Sequence, residues 1–491
     1  MRITKVVITL YGLLFAVLGL GFWIAPGRLT PRFGLDMLGL GGLATVRADL
    51  GGAFIALAAL CLLGLYARRR GLLVAAAVAM TAIVIGRLIA WAASGQLAGP
   101  PGSLLIELGA LAALGLHLRG TPREAGEPPT TLRGLTVGLA VAMVAGGVIA
   151  VSLHAPFVQD GLFRSVAAQN LRRDNSGLLA NDALRVALCG TSAPLPSPNR
   201  GKACVAVMAG GKMYIVDSGP ESTKNLMLWG VPLDKVAGVF LTHFHSDHIG
   251  DLGELNLQTW VAGRPAPMAV YGGPGVEQVV DGFNAAYALD RGYRTAHHTA
   301  ALMPPATSTM VAHPIAMTGP QPHTAVVYDD GAMKITAVET NHAPVTPAYA
   351  YRFDYKGRSI VVTGDTTADP RLTAATKGAD VLFSEAMNRQ MVRAMEGLAR
   401  DAKRPRVAHI LADIQSYHIA PTEAAEVANR AGVKLLVFYH LIPPPDNFVL
   451  RSMFARGVDD ARRGEWDLAE DGSLYTLPAG SRDVRIGRVP Q

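Results

Sequence analysis

Long apolar runs dominate the first third of the chain, and short alternating stretches follow them. The long runs cover residues 6–25, 50–67, 71–93, 103–118 and 134–153. At a rise of about 1.5 Å per residue, some 20 residues cross a hydrocarbon core of about 30 Å. The pattern predicts an all-α bundle of about five transmembrane helices in a domain spanning residues 1–154. The first run is too long for a typical signal peptide, so we expect it to stay in the protein.

Basic loop residues predict the orientation of this domain, because Lys and Arg accumulate in cytoplasmic loops. Eight of them lie in loops on the side of the N-terminus: Arg2, Lys5, Arg68, Arg69, Arg70, Arg119, Arg123 and Arg133. The opposite loops hold Arg28 and Arg32, with Arg47 at the mouth of the second run. We therefore expect an integral membrane protein, in a bacterial inner membrane, with an inside N-terminus. After five spans the rest of the chain faces the extracytoplasmic, periplasmic side, and the lipid bilayer is a partner.

Four ionisable residues lie at or within the runs: Arg47, Asp49, Arg87 and Glu107. A charged side chain is costly in lipid, so we expect these groups to face one another, with Arg87 and Glu107 as a pair. Such a pair fixes helix packing. A ligand or lipid head-group site is the alternative.

The pattern changes after residue 154. Residues 155–183 form a connector, which is either a short helix on the membrane surface, with Phe157, Leu162, Phe163 and Val166 on one face, or a simple spacer. Short β-rich runs then follow at 184–188, 203–208, 213–216, 239–241, 268–271, 334–340, 348–353, 359–363, 381–383 and 435–438. Helical stretches such as 421–431 lie between some of them, which predicts an α/β domain over residues 184–491.

Composition narrows the function classes. Half of the 491 residues are hydrophobic and 17% are charged, which excludes a disordered or collagen-like chain. The net charge of +7 belongs to residues 1–154, because residues 155–491 hold 33 basic and 33 acidic side chains. An electroneutral part has no overall attraction for phosphate backbones, so nucleic acid is not expected as a partner. Of the three cysteines, Cys189 and Cys204 either pair in an oxidising compartment or remain two buried thiols.

The strongest signal for chemistry is the hexapeptide His243-Phe244-His245-Ser246-Asp247-His248, which directly follows a β-rich run. Alternate residues of an extended segment point the same way, so His243 and His245 can hold one ion. Asp247 and His248, at the turn into a helix, can reach a second ion. Imidazole and carboxylate donors suit zinc, and a site built from several loops leaves one position open for water.

One hexapeptide cannot complete two metal sites, so further donors are expected at later strand ends. His342, Asp365 and His440 each follow a β-rich run. Four other histidines lie in a Pro-, Thr- and Ala-rich stretch and are expected in loops: His297, His298, His313 and His323.

Together the seven donors resemble the five-motif pattern of the metallo-β-lactamase superfamily over about residues 184–480. Four segments resemble its ribonuclease Z and arylsulfatase-like branch: Cys189-Gly190-Thr191-Ser192-Ala193-Pro194 with Pro198-Asn199-Arg200, Val216-Asp217-Ser218-Gly219, Ser384-Glu385-Ala386, and His418 with Pro421-Thr422-Glu423-Ala424-Ala425. The resemblance implies an αββα sandwich with the site at one edge of two sheets. It also implies two Zn²⁺ ions, or other divalent metals, with these ligands: His243, His245 and His342 on one, Asp247, His248 and His440 on the other, and Asp365 bridging them.

These parts imply a hydrolytic mechanism. Two metal ions about 3.5–4 Å apart can share a water, lower its pKa and hold it as hydroxide in line with an electrophilic centre. Asp247 is a candidate to accept a proton from that water as well as to bind metal. His418, supported by Glu385, is the candidate acid for the leaving group, with a purely structural role as the alternative. Asp217 is expected to orient a ligand histidine or a loop.

Departures from the family narrow the substrate. Members that process transfer RNA carry a long flexible arm between the third and fourth motifs, whereas only 22 residues separate His342 from Asp365. This short spacing, the electroneutral catalytic part and the predicted export favour a small sulfate or phosphate ester. A ribonuclease Z-like phosphodiesterase or tRNA 3′-endonuclease, a lactonase and a non-catalytic membrane sensor are the alternatives. Four residues of the segment 274–330 either cap the site or belong to an ordinary surface helix: Tyr287, Arg291, Tyr293 and Arg294.

Overall fold

A computed structural model describes residues 2–30, 44–94, 103–122, 156–317 and 323–490 of the chain. The chain divides into two compact units, Met1–Leu171 and Arg172–Gln491. The described part of the first unit is helical, and the second unit combines helices with two β-sheets.

The first unit consists of apolar helices. They are α1 (Arg2–Ile24), α2 (Pro26–Leu29), α3 (Gly52–Tyr66), which continues a π-helical segment (Val46–Gly51), α4 (Arg70–Ser94), α5 (Ser103–Arg119) and α6 (Pro156–Leu171). Three segments are long and apolar enough to cross a membrane: Arg2–Ile24, Val46–Tyr66 and Arg70–Arg87. α5 is also apolar, but its 17 residues are fewer than the roughly 20 that typically cross a membrane. The predicted run 134–153 lies outside the described residues, so the count of five remains a prediction.

Polar groups of this unit join one helix to another. Arg87 Nε on α4 donates to both carboxylate oxygens of the buried Glu107 on α5, each at 2.7 Å. Arg47 Nε donates to the Trp23 carbonyl at 3.1 Å, and Trp23 Nε1 donates to the Arg47 carbonyl at 3.0 Å. The predicted pair of Arg87 with Glu107 is therefore present, whereas Arg47 bonds the end of α1. In the connector, α6 leaves Phe157, Leu162, Phe163 and Val166 exposed.

The second unit is built on two sheets. Its strands are β1 (Ala183–Gly190), β2 (Cys204–Ala209), β3 (Lys212–Val216), β4 (Val236–Phe240), β5 (Met268–Gly272), β6 (Met310–Pro314), β7 (Thr324–Asp329), β8 (Met333–His342), β9 (Val345–Tyr355), β10 (Arg358–Val362), β11 (Val381–Met387), β12 (Leu435–Ile442), β13 (Glu465–Leu468), β14 (Ser473–Pro478) and β15 (Arg485–Arg488). One sheet has the order β15-β14-β1-β2-β3-β4-β5-β6 and the other β13-β12-β11-β10-β9-β8-β7.

Helices connect and cover the strands. They are α7 (Ser222–Leu228), α8 (Ser246–Ile249), α9 (Leu252–Val261), α10 (Val276–Ala286), α11 (Ala288–Leu302), α12 (Pro370–Thr376), α13 (Arg389–Asp401), α14 (Pro405–Asp413), α15 (Pro421–Ala431), α16 (Phe448–Phe454) and α17 (Val458–Ala461). Short 3₁₀ turns lie at Ser176–Leu179, Leu233–Lys235, Pro305–Thr307 and Ile414–Ser416.

Alternation along the strands explains the layers, because successive side chains point to opposite faces of a sheet. Val186 and Val362 belong to the buried cluster between the two sheets. Their neighbours Ala187 and Val361 belong to clusters on the outer faces. Side chains of α7, α9 and α10 complete the first outer cluster, and those of α12, α15 and α16 complete the second. The predicted α/β sandwich with two sheets is confirmed.

The predictions for single strands, helices and histidines were confirmed in part and wrong in part. Every predicted β-rich run overlaps a strand, and the helix predicted at 421–431 is α15. The loop prediction for His297, His298 and His313 was wrong, because the first two lie on α11 and the third on β6. Cys189 and Cys204 form a disulfide between β1 and β2.

Candidate metal centre

The hexapeptide lies where β4 ends and α8 begins. His245 is extended and immediately precedes α8, the short helix that carries Asp247 and His248. The ring atoms His243 Nε2 and His245 Nδ1 are 2.9 Å apart. Extended backbone before the helix thus turns His243 and His245 toward one point, and the helical turn directs Asp247 and His248 to the adjacent one.

The second sheet supplies the remaining donors at the ends of its strands. Ligand atoms of His243, His245, His342 and Asp365 all lie within 4.8 Å of one another. Those of Asp247, His248 and His440 form a second such group. His342 ends β8, Asp365 follows β10 and His440 lies on β12. All seven predicted donors therefore meet at one edge of the two sheets.

Asp365 lies between the two groups. Its Oδ2 is 3.8 Å from His243 Nε2 and 3.8 Å from His342 Nε2. Its Oδ1 is 3.4 Å from His248 Nε2 and 3.3 Å from His440 Nδ1. Burial opposes a charge on this carboxyl group, but His440 and His248 hold the pKa of Asp365 well below its usual range. An ionised carboxylate with one oxygen toward each group suits a bridging ligand.

Unsatisfied buried atoms show that this donor set fits a divalent metal. His342 Nε2, Asp365 Oδ1 and His440 Nδ1 are buried and make no hydrogen bond. Burying a polar atom without a partner costs about 1–3 kcal/mol, so three such atoms in one place call for a ligand. Nitrogen and carboxylate oxygen are the donors that zinc and similar divalent metals take.

Hydrogen bonds behind the ligands fix the imidazole rings. Asp217 accepts from the Thr242 backbone N–H at 2.8 Å and the Thr242 hydroxyl at 2.9 Å, and its Oδ2 is 2.8 Å from His248 Nδ1. His342 Nδ1 donates to the Tyr417 carbonyl at 3.0 Å. These contacts leave the Nε2 atoms of His248 and His342 for metal. The carbonyl of Tyr417 was missed by the sequence reasoning, because a backbone acceptor carries no signal in residue type.

His418 and Glu385 form a buried pair beside the donors. His418 Nδ1 is 3.0 Å from Glu385 Oε1, which also accepts the backbone N–H groups of Thr366 at 3.0 Å and Ile419 at 3.2 Å. Burial disfavours a charged imidazole, but the adjacent Glu385 carboxylate prevails and raises the pKa of His418 to about 9. An imidazole that carries a proton at neutral pH can act as an acid.

Asp247 is suited to binding metal more than to accepting a proton. Burial raises the pKa of an isolated carboxyl group, but His248 and His440 together lower the pKa of Asp247. Asp247 Oδ2 is 3.1 Å from His440 Nε2. A carboxylate that holds protons weakly is a poor base, so the contacts favour the ligand role.

A loop closed by the disulfide supports the second group. The Leu441 N–H, next to His440, donates to the Thr191 carbonyl at 2.9 Å. The Gly219 N–H donates to the Ala203 carbonyl at 3.0 Å, and a Cβ added at Gly219 would lie 2.1 Å from the Asp247 carbonyl. Only glycine permits this close approach of the two backbones.

Comparison with known proteins places these residues in a wider group. The profile of the beta-lactamase superfamily domain matches residues 213–441. Ribonuclease Z of Mycobacterium bovis (strain BCG / Pasteur 1173P2) is 35% identical over 264 residues, which are 53% of this chain and 86% of that protein. Ribonuclease Z of Mycobacterium marinum is 34% identical over 53% of this chain and 87% of its own length. The crystal structure of human tRNase Z, short form, is 22% identical, with a TM-score of 0.42, and covers 60% of this chain and 99% of that one.

Proposed function

The chain belongs to the metallo-β-lactamase superfamily, among ribonuclease Z relatives, and is a metal-dependent hydrolase of ester or phosphodiester bonds; from this we propose that it cleaves small phosphodiesters and is anchored in a membrane. The observation that carries the proposal is the convergence of seven donors from both sheets beside the pair of His418 and Glu385. Metal-binding residues alone would suit a binding protein. A buried acid next to them supports turnover.

The chain's own residues supply positions and protons. The proposed metal ligands are His243, His245, His342, Asp247, His248, Asp365 and His440. Bound divalent metal would polarise the scissile group and lower the pKa of the attacking water. Because Glu385 engages Nδ1 of His418, the proton on Nε2 is the one free to pass to a leaving oxygen.

The connection between His342 and Asp365 supports a small substrate. β8 and β9 are joined by a tight turn, with His342 paired to Val345, and β10 follows β9 directly. These described residues are strands and turns throughout, so no arm projects here to hold a large substrate. The prediction of a small ester thereby gains a structural reason, and the ribonuclease Z relatives favour a phosphodiester within that class.

A second candidate function is cleavage of nucleic acid, which the sequence reasoning did not expect. The relatives are named ribonucleases Z, and one local feature agrees with such a substrate. Between Glu385 and His418, residues 389–406 carry six basic and two acidic side chains on the α13–α14 hairpin. Lys403, Arg404 and Arg406 are exposed there. Overall neutrality of residues 155–491 thus hides a basic segment that lies between Glu385 and His418 in the sequence.

Membrane anchoring rests on the apolar helices of the first unit. Three segments have the length and composition of membrane spans. We retain the predicted orientation, with residues 184–491 on the extracytoplasmic side. Alkaline phosphatase fused after residue 154 should be active, and a cytoplasmic fluorescent protein at the same point should be dark. The opposite result would place the hydrolase inside the cell and strengthen the second candidate.

A substrate panel tests the catalytic proposal. The full chain in detergent, loaded in turn with Zn²⁺ or Mn²⁺, is assayed on bis(p-nitrophenyl) phosphate, p-nitrophenyl phosphate, p-nitrophenyl sulfate, a lactone and a precursor transfer RNA. We expect turnover of the diester, lost in Asp247→Ala and kept in His409→Ala, a matched exposed histidine. Turnover of sulfate or lactone alone, or none with metal bound, contradicts the proposal. Transfer-RNA cleavage that Lys403→Glu abolishes supports the second candidate.

A further inference from the structure

Helix α11 carries apolar residues on its outer face, whereas a surface helix usually turns its apolar face toward the core. Leu289, Tyr293 and Ala296 recur at a spacing of four and three residues, which places them on one face of the regular part of the helix, before the backbone leaves the helical conformation at Thr299. All three are exposed, Leu289 to 70% and Tyr293 to 62%. No residue of α11 is buried. The helix therefore directs its apolar face away from the unit that carries it.

The polar face of α11 is the one turned toward the protein. Arg291 Nη2 donates to the Asn284 carbonyl at 2.9 Å, and Thr295 Oγ1 donates to the Met303 carbonyl at 3.0 Å. Arg294 Nε pairs with Asp290 at 2.8 Å. These bonds use the side chains that would ordinarily face water. The bond from Arg291 thus joins the polar face of α11 to the neighbouring helix α10.

The exposed face is too small for a stable contact with a second copy. A large aromatic or aliphatic side chain covers at most roughly 150–250 Å². Leu289 and Tyr293 with Ala296 then offer less than roughly 600 Å², whereas a stable dimer buries about 800 Å² on each partner. A bilayer demands less, because a unit already tethered to it by membrane spans meets lipid at a high effective concentration.

We propose that α11 lies in the interface of a lipid bilayer, with Leu289, Tyr293 and Ala296 inserted among the lipid head groups. The inference rests on the membrane anchoring advanced under the proposed function. Tyrosine suits this depth, because its ring is apolar and its hydroxyl can stay hydrated.

Spin labels on the full chain in lipid nanodiscs test the docking. Leu289→Cys and Ala296→Cys are labelled in a Cys61→Ala background, in discs of phosphatidylcholine with phosphatidylglycerol. Val326→Cys, on β7 and 54% exposed, is the matched water-facing control. We expect the two α11 labels to lose access to a neutral nickel chelate and gain access to oxygen, relative to the label at 326. Tyr293→Glu should restore nickel access, and Leu398→Glu, at an equally exposed apolar position on α13, should leave it unchanged.

Three results overturn the inference. The α11 labels could be as accessible to nickel as the control while the chain stays in the disc and turns over diester, which leaves the proposed function intact. Dipolar broadening between labels on two chains, lost on dilution, would assign the face to a second copy. Release of the full chain from membranes by alkaline carbonate would remove the tether, and with it both the anchoring and the docking.

Discussion

The pair of Glu385 and His418 yields the sharpest test of the catalytic scheme. In Glu385→Gln the negative charge that keeps His418 protonated is lost, while Oε1 remains to accept the N–H groups of Thr366 and Ile419. Burial of the imidazole is then opposed by less negative charge, so the pKa of His418 should fall. The reaction should lose its acid at a lower pH than in the unaltered protein.

The size of the effect follows from the pKa. Glu385 and burial together set the pKa of His418 at about 9, against 6.5 for an ordinary histidine. A return to the ordinary value corresponds to about 3 kcal/mol and lowers the protonated fraction at pH 8 about 30-fold. Since protonated imidazole is the active form, kcat of the unaltered protein should decline above about pH 9, and that of Glu385→Gln should decline above about pH 6.5.

The assay compares two leaving groups across pH 5–10 at saturating metal. A phosphodiester with an alkyl leaving group needs a proton on departure, whereas a p-nitrophenyl diester departs without one. We expect the 30-fold loss at pH 8 for the alkyl ester only. His418→Ala should also lose turnover of the alkyl ester, but this loss should persist at low pH, because no imidazole is left to take up a proton. Equal losses on both esters, or an unchanged pH profile for the alkyl ester, would refute the role of His418 as an acid.

Three further predictions concern metal and stability. Asp365→Ala should lower the metal content measured by elemental analysis and abolish turnover, because its two carboxylate oxygens lie toward the two groups of donors. Asp217→Asn should weaken metal affinity about 10–100-fold, seen by competition with a chelator, because His248 loses the carboxylate that orients it. Opening the disulfide in Cys189→Ser with Cys204→Ser should lower the free energy of unfolding by about 3 kcal/mol in denaturant titrations, as expected for cysteines 15 residues apart. An unchanged metal content, affinity or stability would contradict the respective argument.

The sequence predicted most of the second unit, because its interior strands are continuous apolar runs. β10, β11 and β12 are buried throughout and have clear boundaries in the hydrophobic pattern. The edge strands β7 and β15 escaped prediction because their side chains are half-buried or exposed, so hydrophobicity marks them weakly. For α11 a surface helix was one of the two predicted alternatives, and Arg291, Tyr293 and Arg294 do lie on it; its bounds were not predicted, since a helix with its apolar face outward has no buried stripe to delimit it.

The metal centre was predictable to the extent that its chemistry resides in side chains. Histidines and aspartates at strand ends identified the donors before their distances were known. The Tyr417 carbonyl that orients His342 and the close approach of Gly219 to Asp247 depend on backbone geometry, which the sequence does not reveal. The basic hairpin α13–α14 was overlooked because a charge total over residues 155–491 averages it away.

The placement of His440 has a consequence for biosynthesis. β12 lies between β11 and β13 in its sheet, and it supplies a donor that residues 1–434 cannot replace within the described structure. A nascent chain therefore cannot assemble the second group of donors until nearly nine-tenths of its length has been made. A shorter nascent chain lacks this donor, and catalytic competence can begin only once translation is almost complete.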